Sequence, residues 1–242
     1  MRHVSWIGIV RHGESTGNVA ASRAETDGAE VIDIAERDAD VPLSHTGEQQ
    51  AEAVGRWMGD TSTPRPDLVF VSPYLRTRQT AEIALQGLDV PRVLDERLRD
   101  RELGILDRLT TAGVAARLPD ESQRRSRLGK FYYRPPGGES WADVLLRLRA
   151  LLRDIDHDHP GERVLLVAHD ASVSMLRYVL EDMDEPALME SARQVTIANC
   201  SISSWSRADT NWKPELFNDV THLEQAADTH PTAQEDIDAD LA

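Results

Sequence analysis

The sequence predicts a three-layer α/β/α domain with a mostly parallel central sheet and one cap insertion. Two observations carry that expectation. Short apolar runs at Val4–Val10, Asp67–Val71 and Val164–Ala168 each stop abruptly at polar residues, as strands buried on both faces do. Between these runs lie longer segments whose apolar residues recur at helical spacing. That alternation builds a parallel sheet with helices on both sides. In such sheets ligands sit beyond the carboxyl ends of the strands.

The elements follow in order. Val4–Val10 runs into Arg11-His12-Gly13, after which a helix is expected. Thr46 and Gln49 form a capping box for a helix with Ala51, Val54 and Trp57 on one face. Asp67–Val71 leads into Ser72-Pro73, read as an N-cap followed by proline at the first helical position. Val90–Leu94 is a short strand. Ser140 with Asp143 caps a helix whose stripe is Trp141, Val144, Leu145, Leu148, Leu152 and Ile155. Val164–Ala168 is followed by a helix to about Leu180, and alternation between Asn199 and Leu223 suggests a strand pair at the sheet edge. One domain is therefore expected over residues 1–225.

Two stretches break the rhythm. Leu103–Gly138 is rich in arginine and aromatics, ends in Pro135-Pro136-Gly137-Gly138, and reads as the cap insertion. Its Arg117, Arg124, Arg125, Arg127, Lys130 and Arg134 make either a solvated basic face or an electrostatic funnel, with Phe131, Tyr132 and Tyr133 offering surface to a substrate. Ala226–Ala242 is acidic and without periodic apolar residues, so a mobile tail is expected there.

Composition narrows the function classes. A net charge of -15 over 242 residues argues against nucleic acid and anionic membranes as partners. No apolar run reaches the roughly 18–20 residues that cross a bilayer. The start of the chain is too short and too strand-like for a signal peptide. The lone Cys200 excludes an internal disulfide framework, so a cytoplasmic location is expected. His157 and His159, beside Asp156 and Asp158, read as a polar loop before Pro160-Gly161 and not as a metal site. No Walker A loop, GxSxG elbow or paired CxxC occurs.

Three strand ends each deliver a residue suited to holding phosphate: Arg11-His12, Arg76 just after Ser72-Pro73, and His169. Arginines can fork onto phosphoryl oxygens and a second histidine can donate to another. His12 can attack in line if its ring is neutral, and neighbouring arginines lower its pKa toward that state. A helix beginning after Gly13 adds backbone N–H groups and a positive dipole end. Arg78 reads as an ordinary exposed helix arginine.

The run Arg11-His12-Gly13-Glu14-Ser15-Thr16-Gly17-Asn18 resembles the signature of the histidine phosphatase superfamily, which includes the cofactor-dependent phosphoglycerate mutases. The resemblance continues through Leu43-Ser44-His45-Thr46-Gly47, Ser72–Ala81, Leu98–Gly104, Gly137-Gly138-Glu139-Ser140 and Val167-Ala168-His169. It covers roughly Val4 to Leu223 in the family's order. It implies that His12 is the phosphorylated nucleophile, that Arg11, Arg76 and His169 form the phosphate pocket, and that Asn18 contacts the phosphoryl group. The family's glutamate four residues before the block's glycine is here Asp100, ahead of Gly104, and a register shift would offer Glu102 instead. Asp170 stands where the family generally has glycine.

The expected reaction is hydrolysis of a small phosphomonoester in two steps, with no metal or organic cofactor. The rivals are a phosphoglycerate-type mutase and a phosphate-binding regulatory protein with the same pocket.

Overall fold

The structure is a computed structural model and describes residues 3–61, 63–208 and 211–233. Its strands are β1 (Trp6–Arg11), β2 (Leu68–Val71), β3 (Arg92–Leu94), β4 (Arg163–Ala168), β5 (Ile202–Ala208) and β6 (Asn211–Asp219). They form one sheet in the order β3-β2-β4-β1-β5-β6. The first four in that order run parallel, and β5 and β6 add an antiparallel edge. Because side chains alternate across a strand, each buried strand feeds two cores. Ile7, Ile9, Phe70, Val164 and Leu166 point into one. Trp6, Val10, Val69, Val71, Leu165 and Val167 point into the other.

Helices α6 (Trp141–Asp158), α7 (Asp170–Leu180) and α8 (Glu185–Gln194) supply the first core, through residues such as Leu148, Leu151, Leu176 and Leu188. On the opposite face α2 (His45–Gly59), α3 (Leu75–Ala84) and the short α9 (Thr221–Glu224) supply Ala51, Val54, Met58, Ala81 and Leu223. This is the three-layer arrangement expected, and α6 begins with the predicted Ser140/Asp143 capping box. Helix α1 (Thr16–Thr26) starts directly after the β1 turn with Ser15 as its cap.

Several local expectations change. Helix α2 is capped by Ser44, whose hydroxyl accepts the Gly47 N–H at 3.1 Å, so Thr46 falls inside the first turn. Helix α3 starts at Leu75 and not at Pro73, with Tyr74 at its N-cap, and the Ser72 hydroxyl lies 2.9 Å from His169 Nε2. The cap region holds helices α4 (Thr111–Arg117) and α5 (Pro119–Leu128) around a small core of Leu106, Val114 and Tyr133.

The acidic tail is held to the body over its described part. The Gln50 amide donates to the His230 carbonyl at 3.0 Å and to Thr232 Oγ1 at 2.9 Å, and the Asn199 N–H donates to the Thr232 carbonyl. The tail thus makes defined contacts with the body at His230 and Thr232, and residues 234–242 lie outside the described residues.

Candidate active site

Arg11, the last residue of β1, pairs with Ala168, the last residue of β4, so His12 and His169 leave adjacent strand ends together. The His12 N–H donates to the Ala168 carbonyl at 2.9 Å, and the two imidazole centroids stand 5.2 Å apart. His12 Nδ1 lies 2.8 Å from the Gly13 carbonyl. A carbonyl only accepts, so Nδ1 carries the proton and Nε2 keeps its lone pair. The Arg76 Nε–H donates to that Nε2 at 3.3 Å. Burial, followed by the charges of Arg76, His169 and Arg11, holds the His12 pKa well below its ordinary 6.5. The ring is therefore neutral at pH 7, with its lone pair toward a guanidinium.

Arg76 is fixed from both sides. Its NH1 donates to the Asp38 carbonyl at 2.6 Å and to Asp38 Oδ1 at 3.0 Å, and NH2 donates to Asp100 Oδ2 at 2.8 Å. Arg11 NH1 donates to the Ile197 carbonyl, while its buried Nε has no hydrogen-bond partner among the described residues. His169 Nδ1 lies 3.1 Å from Asp100 Oδ2. Buried N–H groups are rarely left unpaired, so the Arg11 Nε–H marks a place where an oxyanion would complete it.

Asp100 is carried on the loop after β3, and two neighbouring blocks lock that loop. A Cβ on Gly104 would sit 2.2 Å from the Pro136 carbonyl oxygen, and one on Gly138 would sit 2.5 Å from that of Glu102. The glycines of both segments are thus needed for backbone to meet backbone. Arg147 NH2 donates to the Asp100 carbonyl at 3.1 Å, and the Glu139 carboxylate binds Arg99 and Arg147. The Asp100 carboxylate stays half-buried against Arg76 and His169, whereas Glu102 is exposed at the cavity rim. Burial pushes the Asp100 pKa up, but His169 and Arg76 outweigh it and hold the carboxyl well below the usual range.

The turn at His12 is held with similar closeness. A Cβ on Gly47 would meet the Glu14 carbonyl oxygen at 2.0 Å, so α2 can back onto the turn only with glycine there. The Gly13 N–H donates to Thr80 Oγ1, and the Glu14 N–H to Gln50 Oε1. Asn18 closes a capping box with Ser15, which occupies its carbonyl oxygen. Asn199 donates to the His12 carbonyl at 3.1 Å.

Asp38, Thr80, Gln50 and Asn199 were not legible as site residues. Each is a short polar side chain outside any periodic pattern, placed only by tertiary contact. The site opens into a cavity of about 180 Å³. None of the six basic cap residues lines it, and the funnel reading is corrected: Arg117 pairs with Glu30, Arg124 with Glu121 and Arg134 with Asp143. Phe131 and Tyr133 are buried in the protein interior.

His12, Asp100 and His169 bring one ligand atom each within 4.8 Å of one another, a spacing that could hold a metal ion. The Arg76 guanidinium reaches two of the three and repels a cation there. Arg78 is exposed on α3, turned away from this cluster. Arg76→Ala should therefore lower kcat by about 10²–10³, the scale of losing one preorganised donor. Arg78→Ala should stay within about twofold, as exposed residues away from a site do. Steady-state rates on one aryl ester decide the comparison.

The sequence matches the model of the histidine phosphatase superfamily (branch 1) over residues 7–220. A curated relative named "Probable phosphoglycerate mutase GpmB", from Photorhabdus laumondii, is 32% identical over 228 residues, covering 90% of this chain and 95% of its own. Among solved structures, mycobacterial glucosyl-3-phosphoglycerate phosphatase with VO3 aligns at TM-score 0.71 and 25% identity, over 89% of this chain and 99% of that one. The alpha-ribazole phosphatase of Shigella flexneri aligns at TM-score 0.71 and 18% identity, over 88% and 96%, a likeness of fold alone. No helix among the described residues is long and apolar enough to cross a membrane.

Proposed function

The chain belongs to the histidine phosphatase superfamily, and on that premise we propose that it is a metal-independent phosphomonoesterase working through phosphohistidine at His12. The observation that carries this reading is the His12 ring itself. Its Nδ1 is tied to the Gly13 carbonyl at 2.8 Å, so Nε2 is unprotonated and faces Arg76 at 3.3 Å. A phosphoryl group held by Arg76, Arg11 and His169 presents its phosphorus to that lone pair. Phosphoryl transfer asks mostly for such positioning and charge neutralisation. The solved mycobacterial relative complexes with VO3, a phosphate-like oxyanion, which supports a phosphate-type ligand for this chain.

In the first step the His12 Nε2–P bond forms and the ester P–O bond breaks, with Asp100 giving its proton to the departing alkoxide. In the second, water attacks phosphorus, Asp100 takes the water's proton, and the N–P bond breaks to release inorganic phosphate. Asp170 lines the same cavity and adds negative charge beside His169. Substrate is a small phosphorylated molecule.

A mutase reading draws support from the relative's name. Such an enzyme must hold its phosphoryl group away from water, and here Glu36, Glu102 and Asp107 stand exposed around the cavity mouth. Hydrolysis is therefore the better reading. Turnover of p-nitrophenyl phosphate in excess EDTA should proceed undiminished, with phosphate released in step with nitrophenol. Interconversion of 2- and 3-phosphoglycerate primed by bisphosphoglycerate, faster than phosphate release, would make the protein a mutase. Loss of activity in EDTA, restored by a divalent ion, would overturn metal independence. Phosphate binding without turnover would leave a regulatory protein.

A further inference from the structure

The cavity that should bind an anion is walled by more carboxylates than guanidiniums. Glu36, Asp38, Asp100, Glu102, Asp107 and Asp170 line it, against four arginines. Two of those arginines, Arg11 and Arg76, stand at the phosphoryl end. Of the others, Arg101 sends its Nε–H to the Glu139 carbonyl at 2.7 Å, and Arg108 lies exposed at the rim, as Glu36, Glu102 and Asp107 do, where charge is screened. The part of the cavity left for the alcohol of the ester is thus aliphatic, through Ile32, Ile34, Val41 and Leu103, and acidic.

Among these carboxylates Asp38 has a defined place. Its Oδ1 lies 3.0 Å from Arg76 NH1, the guanidinium that the proposed mechanism sets against the phosphoryl oxygens. Asp38 also lines the cavity, so an alcohol that extends from the phosphoryl end into it has Asp38 in its wall. A carboxylate accepts hydrogen bonds and donates none. It favours a neighbouring hydroxyl or ammonium and repels a neighbouring carboxylate.

We infer that Asp38 is a specificity residue: it admits phosphate monoesters of hydroxylated or amino alcohols and turns away those whose alcohol carries a carboxylate, phosphoglycerates included. This rests on the phosphomonoesterase reading above. Like charges brought together at a binding site are costly, but Asp38 is half exposed in the open cavity and part of that cost is screened.

The test uses two esters that differ in one group. Glycerol 3-phosphate and 3-phosphoglycerate share chain length and phosphate position, and exchange a hydroxymethyl for a carboxylate. Each is measured as a competitor of p-nitrophenyl phosphate at low ionic strength, so that slow turnover still gives a reading. The wild type should bind or process glycerol 3-phosphate better by roughly tenfold or more, the scale of one partly screened charge repulsion. Asp38→Asn, which keeps an acceptor for Arg76 and removes the charge, should narrow that ratio about tenfold. The narrowing should come mainly from tighter 3-phosphoglycerate. Phosphoethanolamine should lose affinity in the same variant. A ratio indifferent to Asp38→Asn overturns the inference. So does a wild-type preference for 3-phosphoglycerate that Arg108→Ala removes, since the rim arginine would then be reading the alcohol. Phosphate on His12 from p-nitrophenyl phosphate is followed alongside. If it forms while the ratio is indifferent, only the role of Asp38 has failed. If it forms with no ester, the phosphomonoesterase premise itself has failed.

Discussion

His12→Ala should abolish turnover, by at least about 10⁴-fold, because a covalent route cannot proceed without its nucleophile. The fold should survive. His12 follows β1 and its backbone bonds to Ala168 and Cys200 do not involve the ring. What the variant loses is the acceptor for the Arg76 Nε–H and the donor to the Gly13 carbonyl. A modest fall in Tm is therefore expected, and circular dichroism should be unchanged. Rapid quench of the wild type with labelled substrate should trap acid-labile phosphate on the protein, and the variant should trap none. If the folded variant kept substantial activity and label, the nucleophile would be elsewhere, with His169 the nearest candidate. The pH profile gives a second reading. A pKa held below 6.5 favours the neutral ring, so at pH 6 His12 stays competent where an ordinary histidine would be largely protonated. The acid limb that belongs to His12 should lie below pH 6.5.

The layers were legible because buried parallel strands are short, apolar and sharply ended. The alternation of strand and helix then placed Arg11-His12, Arg76 and His169 at carboxyl ends before any contact was known. Helix starts were less legible. Ser72-Pro73 has the composition of a cap, yet its hydroxyl goes to His169, an interaction across 97 residues that no local pattern encodes. The cap misled for a related reason. Its arginines look like a funnel in sequence, but Arg117 and Arg134 pair with Glu30 and Asp143 in other segments, which weakens the field a run of arginines suggests. Asp38 shows the opposite failure. In sequence it is one acid among several, and only the fold brings it to Arg76.

Asp100→Asn is the second variant with a large expected effect, and it addresses the proton. The structure favours Asp100 over Glu102 by placement: Asp100 Oδ2 is 2.8 Å from Arg76 and 3.1 Å from His169. Glu102 is pinned by its backbone, its N–H to Glu139 Oε2 at 3.2 Å and its carbonyl to the Glu139 N–H at 2.8 Å, with the residue exposed. Asp100 is ionised, because its contacts with His169 and Arg76 outweigh the effect of burial. It must gain a proton before it can give one. An arriving phosphoryl group supplies the reason, since it competes for Arg76 and brings negative charge beside Asp100, both of which raise the pKa of the carboxyl. A phosphomonoester loses its second proton near pH 6. A monoanionic ester can therefore deliver the proton itself. The reactive complex carries one proton shared between ester and Asp100, so kcat/KM for alkyl esters should fall as pH rises above about 6. Asp100→Asn should slow alkyl esters by about 10²–10⁴, the usual worth of a positioned general acid. In single turnovers it should slow p-nitrophenyl phosphate far less, because nitrophenolate leaves without a proton, and the pH dependence of that transfer step should flatten. Glu102→Gln should show neither pattern. If Glu102→Gln carried the leaving-group dependence while Asp100→Asn did not, the carboxylate at the rim would be the one that moves the proton.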